Sequence, residues 1–203
     1  MKSVLAKIIE EPVLHAKWLN TLSFMENAGA RKISACEDSQ KTDLIQLKHA
    51  AEEHRHAYYL KKQIGKLTDS GFEYYAEDSL IGGKSSIQYL HRLDVQTCRF
   101  LMKEFKLSGA ALKYAAYLFV TYAIEVRADE LYPIYQECLT EAGSKVMVKS
   151  IILEEEGHLE EMIHQLQSFH PSWNLYADAI IDIENKLFED WIESVFSEVK
   201  DVA

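Results

Sequence analysis

The sequence predicts an all-α protein, a four-helix bundle with one long crossover and an added C-terminal helix. Three observations predict it. Only three prolines and eight glycines interrupt 203 residues, which favours long helices over many short strands. Apolar residues recur at three- and four-residue spacing through most of the chain. Two pairs of such segments are each joined by a short connection, and one long stretch separates the pairs.

The first bundle helix is expected from about Pro12 to Ile33. Its face Trp18, Leu19, Leu22, Met25, Glu26, Gly29, Ile33 is apolar except for the one glutamate. Ser34 to Lys41 is short and polar, so the second helix, about Thr42 to Lys66, should return antiparallel to the first. Leu67 to Leu107 is the crossover. Its first part, Leu67 to Lys84, holds Asp69-Ser70-Gly71 and Gly82-Gly83 and reads as loop with one short helical piece. A helix then covers about Ser85 to Phe105. The third bundle helix starts near Ser108, an N-cap residue type, and runs to about Ala142. Pro133 should kink it and Gly143 should end it. The fourth runs from about Ser144 to Phe169 and stops before Pro171. The last helix, about Ser172 to Val199, carries the stripe Tyr176, Ala177, Ile180, Ile183, Leu187, Trp191, Val195. That stripe should pack on the outside of the bundle or on a second subunit, which suggests a homodimer. Residues 1–203 are expected to form one domain.

Composition narrows the class. Apolar residues make up 48% and charged residues 27%, as in a globular protein with a sizeable core. The net charge of −10 repels a phosphate backbone, and no Lys/Arg stripe reverses it locally, so nucleic acid is not an expected partner. No apolar run approaches the roughly 18 residues of a membrane span. Met1 to Glu11 lacks the apolar core and cleavage site of a signal peptide. Cys36, Cys98 and Cys138 are widely spaced with no C-x-x-C, which excludes a rubredoxin-type or zinc-ribbon module and fits reduced thiols in a cytoplasm.

The chemistry lies in two short runs. Glu52-Glu53-His54-Arg55-His56 and Glu154-Glu155-Glu156-Gly157-His158 each hold a Glu-x-x-His, on the second and fourth bundle helices. Residues three apart share a helix face, so Glu53 with His56, and Glu155 with His158, can reach one metal beside that face. Taken alone, either run is equally readable as a solvated face, and Glu161/His164 is a third match. The context is more specific. Glu26 on the first helix and Glu125 on the third, after Tyr-Leu-Phe-Val-Thr-Tyr-Ala-Ile, are carboxylates on apolar faces. A buried unpaired carboxylate costs several kcal/mol, so these two require cations. The order Glu26, Glu53/His56, Glu125, Glu155/His158 is the order in which a bundle would bring them together.

These pieces, with Met25-Glu26-Asn27-Ala28-Gly29-Ala30-Arg31, Ala51-Glu52-Glu53-His54-Arg55-His56-Ala57 and Glu125-Val126-Arg127-Ala128-Asp129, resemble the ferritin-like di-iron carboxylate superfamily, in particular its rubrerythrin-like and small bacterial oxidoreductase branches. The resemblance covers the four bundle helices, not the crossover or the last helix. It implies a ferritin-like bundle whose six ligand positions fall on Glu26, Glu53, His56, Glu125, Glu155 and His158. Two departures stand out: there is no Cys-rich electron-donor module, and Ala128 stands where some relatives have a seventh carboxylate.

The neighbours of these positions are open to more than one reading. His49, one turn before Glu53, is an extra ligand, a hydrogen-bond donor behind the ligands or a core histidine, with the last favoured. Glu161 is a carboxylate behind the ligands rather than a ligand. Asp129 could orient a ligating imidazole or be a surface carboxylate. Tyr59 and Tyr122 are expected to be packing tyrosines, and His91 and Asp94 to make a polar contact from the crossover. Mixed carboxylate and imidazole donors suit two Fe ions, with Mn able to replace either. The functional expectation is a di-iron oxidoreductase that activates O2 or peroxide toward a small-molecule substrate with an unassigned electron donor. The alternatives are a ferroxidase or iron-storage protein, and a non-enzymatic protein with a structural metal site. A nucleic-acid-modifying hydroxylase is disfavoured by the acidic balance.

Overall fold

The computed structural model describes residues 1–38, 40–69 and 71–202; Ser39 of the expected short loop and Ser70 of the expected turn lie outside them. Among the described residues the chain is all-helical, with seven α-helices: α1 (Lys2–Glu10), α2 (Pro12–Ala35), α3 (Leu44–Ile64), α4 (Gly83–Phe105), α5 (Gly109–Glu141), α6 (Lys149–Phe169) and α7 (Trp173–Val202). A single 3-10 turn, Glu77–Ser79, is the short helical piece of the crossover. Among the described residues no single helix is long and apolar enough to cross a membrane.

Helices α2 and α3 pack as one pair, α5 and α6 as another, and α4 lies against α2, α5 and α7. Local chemistry explains the boundaries. Pro12 opens α2 at a position where its missing N–H costs nothing. The Asp43 side chain caps α3 by accepting from the N–H groups of Ile45 and Gln46 at 2.9 and 3.3 Å. The irregular part of the crossover is pinned to the first pair: Asn20 donates to the carbonyls of Tyr74 and Ser79, and Lys61 reaches Asn20 and the Phe72 carbonyl. Gly82, the residue before α4, lies in the left-handed region at φ +71°, and a Cβ there would meet Ser86, Ser194 and Val195 at 3.2–3.3 Å, so both backbone and space require glycine.

Met1 to Glu11, where no element is expected from the sequence, forms α1, which buries Val4, Leu5 and Ile8 against the rest of the core. One expectation needs correction. α6 begins at Lys149, not near Ser144. Gly143, at φ +60°, closes α5 with N–H bonds from Gly143 to Thr140 and from Ser144 to Leu139, which turns the chain sharply. The connector is then held by side chains, since Gln136 accepts from the Val148 N–H at 2.9 Å and Gln63 from the Met147 N–H at 3.4 Å. The stripe of α7 packs on the bundle itself, the first of its two expected placements. Ala177, Ile180, Leu187, Trp191 and Val195 of its stripe are buried within this chain. Trp191 stacks on Trp18 of α2 and on Tyr89 of α4, with ring centroids 5.8 and 5.6 Å apart. Pro133 sits inside α5, which continues through it to Glu141.

Candidate metal centre

The six residues singled out in the sequence converge from four helices. Glu26 comes from α2, Glu53 and His56 from α3, Glu125 from α5, and Glu155 and His158 from α6. Donor atoms of Glu26, Glu53, His56 and Glu155 all lie within 4.8 Å of one another, and so do those of Glu53, Glu125, Glu155 and His158. The two groups share Glu53 and Glu155. Each thus has two carboxylates in common with the other, plus one carboxylate and one imidazole of its own. Each group could hold one cation, Glu26 and His56 contributing only to the first and Glu125 and His158 only to the second.

The imidazoles face inward through Nδ1. His56 Nδ1 lies 3.1 Å from Glu155 and 3.9 Å from both Glu26 and Glu53. His158 Nδ1 lies 3.5, 3.6 and 3.7 Å from Glu53, Glu155 and Glu125. Neither Nδ1 is aligned for a hydrogen bond, and both are buried without a partner, as is Oε2 of Glu125. Buried polar atoms normally find partners, so three such atoms around one point mark a place for something the chain itself does not supply. The donor set, four carboxylates and two imidazoles, fits two divalent cations in charge and in ligand preference.

The outer ring nitrogens are held from the opposite helix. His56 Nε2 on α3 meets Glu154 of α6 at 2.7 Å, and His158 Nε2 on α6 meets Glu52 of α3 at 2.7 Å. Each carboxylate accepts an Nε2–H, which leaves the lone pair on Nδ1, facing the centre. Arg55 then grips Glu154 with two bonds, at 2.8 and 2.5 Å. The Tyr132 hydroxyl of α5 donates to Glu26.

Electrostatics follow from burial and crowding. Burial raises the carboxyls of Glu26 and Glu125 well above the ordinary range, with repulsion from Glu53 on Glu26 and from Glu155 on Glu125 adding to it. Glu26 keeps 12% of its side chain exposed because it lines a cavity, but neighbouring atoms otherwise enclose it. Burial also opposes a charge on Glu155, yet His158 and His56 on either side hold its carboxyl below the usual range. Both imidazoles are raised despite burial: His56 chiefly by Glu155 and Glu53, His158 chiefly by Glu125 and Glu155.

The surrounding assignments divide. His49 is a buried histidine whose Nε2 meets Glu161 at 2.8 Å and whose ring lies 4.7 Å from that of His158. Glu161 is turned to His49 and Lys48 rather than to the centre, and His164 is exposed. Asp129 is exposed and orients nothing here; Glu52 and Glu154 do that work. Tyr59 packs against the core, and Tyr122 packs edge-on to Trp173 at 5.7 Å. Asp94 accepts from Lys32, tying the crossover helix to α2, while His91 is exposed. Glu52, Glu154, Arg55 and Tyr132 were not anticipated. A signal existed for three of them. Both ligand helices read Glu-Glu-x-x-His, and the first glutamate, next to a ligand on the helix surface, leans toward the facing helix. Tyr132 lies two turns after Glu125 on the same side of α5.

Compared with models of known protein families, with curated proteins and with solved structures, the chain matches none.

Proposed function

We propose that this chain is a ferritin-like di-iron oxidoreductase, which activates O2 or peroxide toward a small-molecule substrate at a carboxylate-bridged pair of iron ions, Mn being able to replace either. The observation that carries the reading is the pair of four-donor groups sharing Glu53 and Glu155, with both inward Nδ1 atoms unpartnered. The connectivity supports the same superfamily: two close helix pairs, α2 with α3 and α5 with α6, separated by the long crossover.

In this reading Glu26 and His56 would hold one ion, Glu125 and His158 the other, and Glu53 and Glu155 would contribute to both. Glu52 and Glu154 fix the imidazole tautomers, and Arg55 fixes Glu154. Tyr132 restrains Glu26 through its hydroxyl. When bound, the redox-active pair would supply the electrons and Lewis acidity to reduce O2 or peroxide. The apolar residues around the carboxylates keep bulk water away and strengthen every charge interaction inside.

The test is metal analysis and oxygen uptake on the same protein from iron-supplied cells. About two irons per chain are expected, with the reduced protein consuming O2 or peroxide. Protein that carries no iron, or iron-loaded protein inert to both oxidants, contradicts the reading.

A further inference from the structure

A cavity of about 100 Å³ opens beside the four carboxylates, between α2, α4 and α5, and its floor includes Glu26, Glu53, Glu125 and Glu155. Its walls are apolar: Met25, Leu90, Ile124, Ala128 and Leu131, with Trp191 behind them. Two cations line it, and each is already matched by an acid of this chain. Lys32 pairs with Asp94, and Arg127 pairs with Glu184, whose side chain is 1% exposed. No unpaired positive charge is left among the lining residues to hold an anionic group.

Gly29 adds a second, independent observation. It lies in the middle of α2, one turn after Glu26, on the cavity wall. Glycine inside a helix costs about 1 kcal/mol relative to alanine. Neither usual reason for it applies here: Gly29 is not at positive φ, and a Cβ would meet nothing within 4 Å. A side chain at this position would stand in open space. The glycine keeps that space open next to the carboxylates.

We propose that this cavity is the substrate site, and that it takes an uncharged, apolar molecule whose buried end is about the size of one aromatic ring. The assignment rests on the oxidoreductase reading for its chemical purpose but not for its binding. The volume is of the same order as an apolar cavity of about 150 Å³ that takes up benzene. The occupant would lie against Ile124 and Ala128 with its inner end at Glu26. The centre would then act on a molecule held by shape and desolvation, without a charged anchor.

The experiment uses iron-loaded full-length protein, toluene as the apolar probe and benzoate as its charged counterpart, with binding followed by calorimetry. Toluene should bind and benzoate should bind at least tenfold more weakly. Gly29→Leu should lower toluene affinity at least tenfold while keeping the iron content, and its melting temperature should be unchanged or higher because leucine is the better helix former. Absence of toluene binding, equal binding to Gly29→Leu, or benzoate binding as well as toluene overturns the assignment. Iron content on the same samples separates the two proposals. Iron without toluene binding removes this site; toluene binding without iron keeps the site and removes the oxidoreductase reading.

Discussion

Two buried acidic clusters lie on neighbouring parts of this molecule, and the chain treats them differently. Around Glu184 of α7, the acid is neutralised from within. Arg127 donates to it through Nε and Nη2 at 3.0 and 2.7 Å, Tyr89 donates its hydroxyl, and the guanidinium lies 3.9 Å over the Phe188 ring. Around Glu53 and Glu155, four carboxylates meet with no lysine or arginine among them, and the imidazole nitrogens facing them have no hydrogen-bond partner. The same cost of burying charge is met at one site by a side chain and left open at the other. That difference separates a structural ion pair from a cation site.

The largest effects should fall on the open cluster. Glu53→Ala or His158→Ala should abolish binding of the iron pair, since each removes a donor from a group of four; metal analysis after iron loading checks this, and full retention in both variants defeats the ligand assignment. Arg127→Met breaks the closed cluster instead. It leaves Glu184 buried beside Tyr89 alone and should cost about 3–5 kcal/mol in denaturant unfolding, with the metal content unchanged. Loss of iron in Arg127→Met would mean the two clusters are not independent.

A smaller effect tests how the imidazoles are held. Glu52→Gln and Glu154→Gln keep the size but weaken acceptance of Nε2–H, and each should lower metal affinity about 10–100-fold. The smallest effect lies away from both clusters. His15 is fully buried against Tyr135, 2.6 Å from its hydroxyl, and burial pushes its imidazole down from 6.5 to about 4. It folds as the neutral form. Its contribution is therefore complete above about pH 6.5, declines as the pH falls toward about 4, and stays lost below that. Between about pH 7 and pH 5 the wild type should lose about 2 kcal/mol more stability than His15→Gln; equal losses would show that His15 is not the titrating group.

Much of the open cluster was legible because helix spacing is rigid. Glu53 and His56, or Glu155 and His158, share a face whatever surrounds them, and Glu26 and Glu125 stood out as lone charges on apolar faces. The orienting pairs were not legible in the same way. Glu52 belongs to His158 and Glu154 to His56, across two helices whose relative rotation no single-helix pattern fixes. Spacing alone left Asp129 open between an orienting and a surface carboxylate, and it faces solvent. The start of α6 was hidden because Gln136 and Gln63 hold the preceding backbone from a distance. α1 is too short for its periodicity to stand out, and α7 could be read only as apolar, not as apolar toward which neighbour.

The most direct test of the cation site is anomalous diffraction at the iron edge from crystals of the iron-loaded protein. Two peaks about 3.5–4 Å apart are predicted between Glu53 and Glu155, one beside Nδ1 of His56 and the other beside Nδ1 of His158. A single peak there, or none in a protein that carries iron elsewhere, would contradict the account.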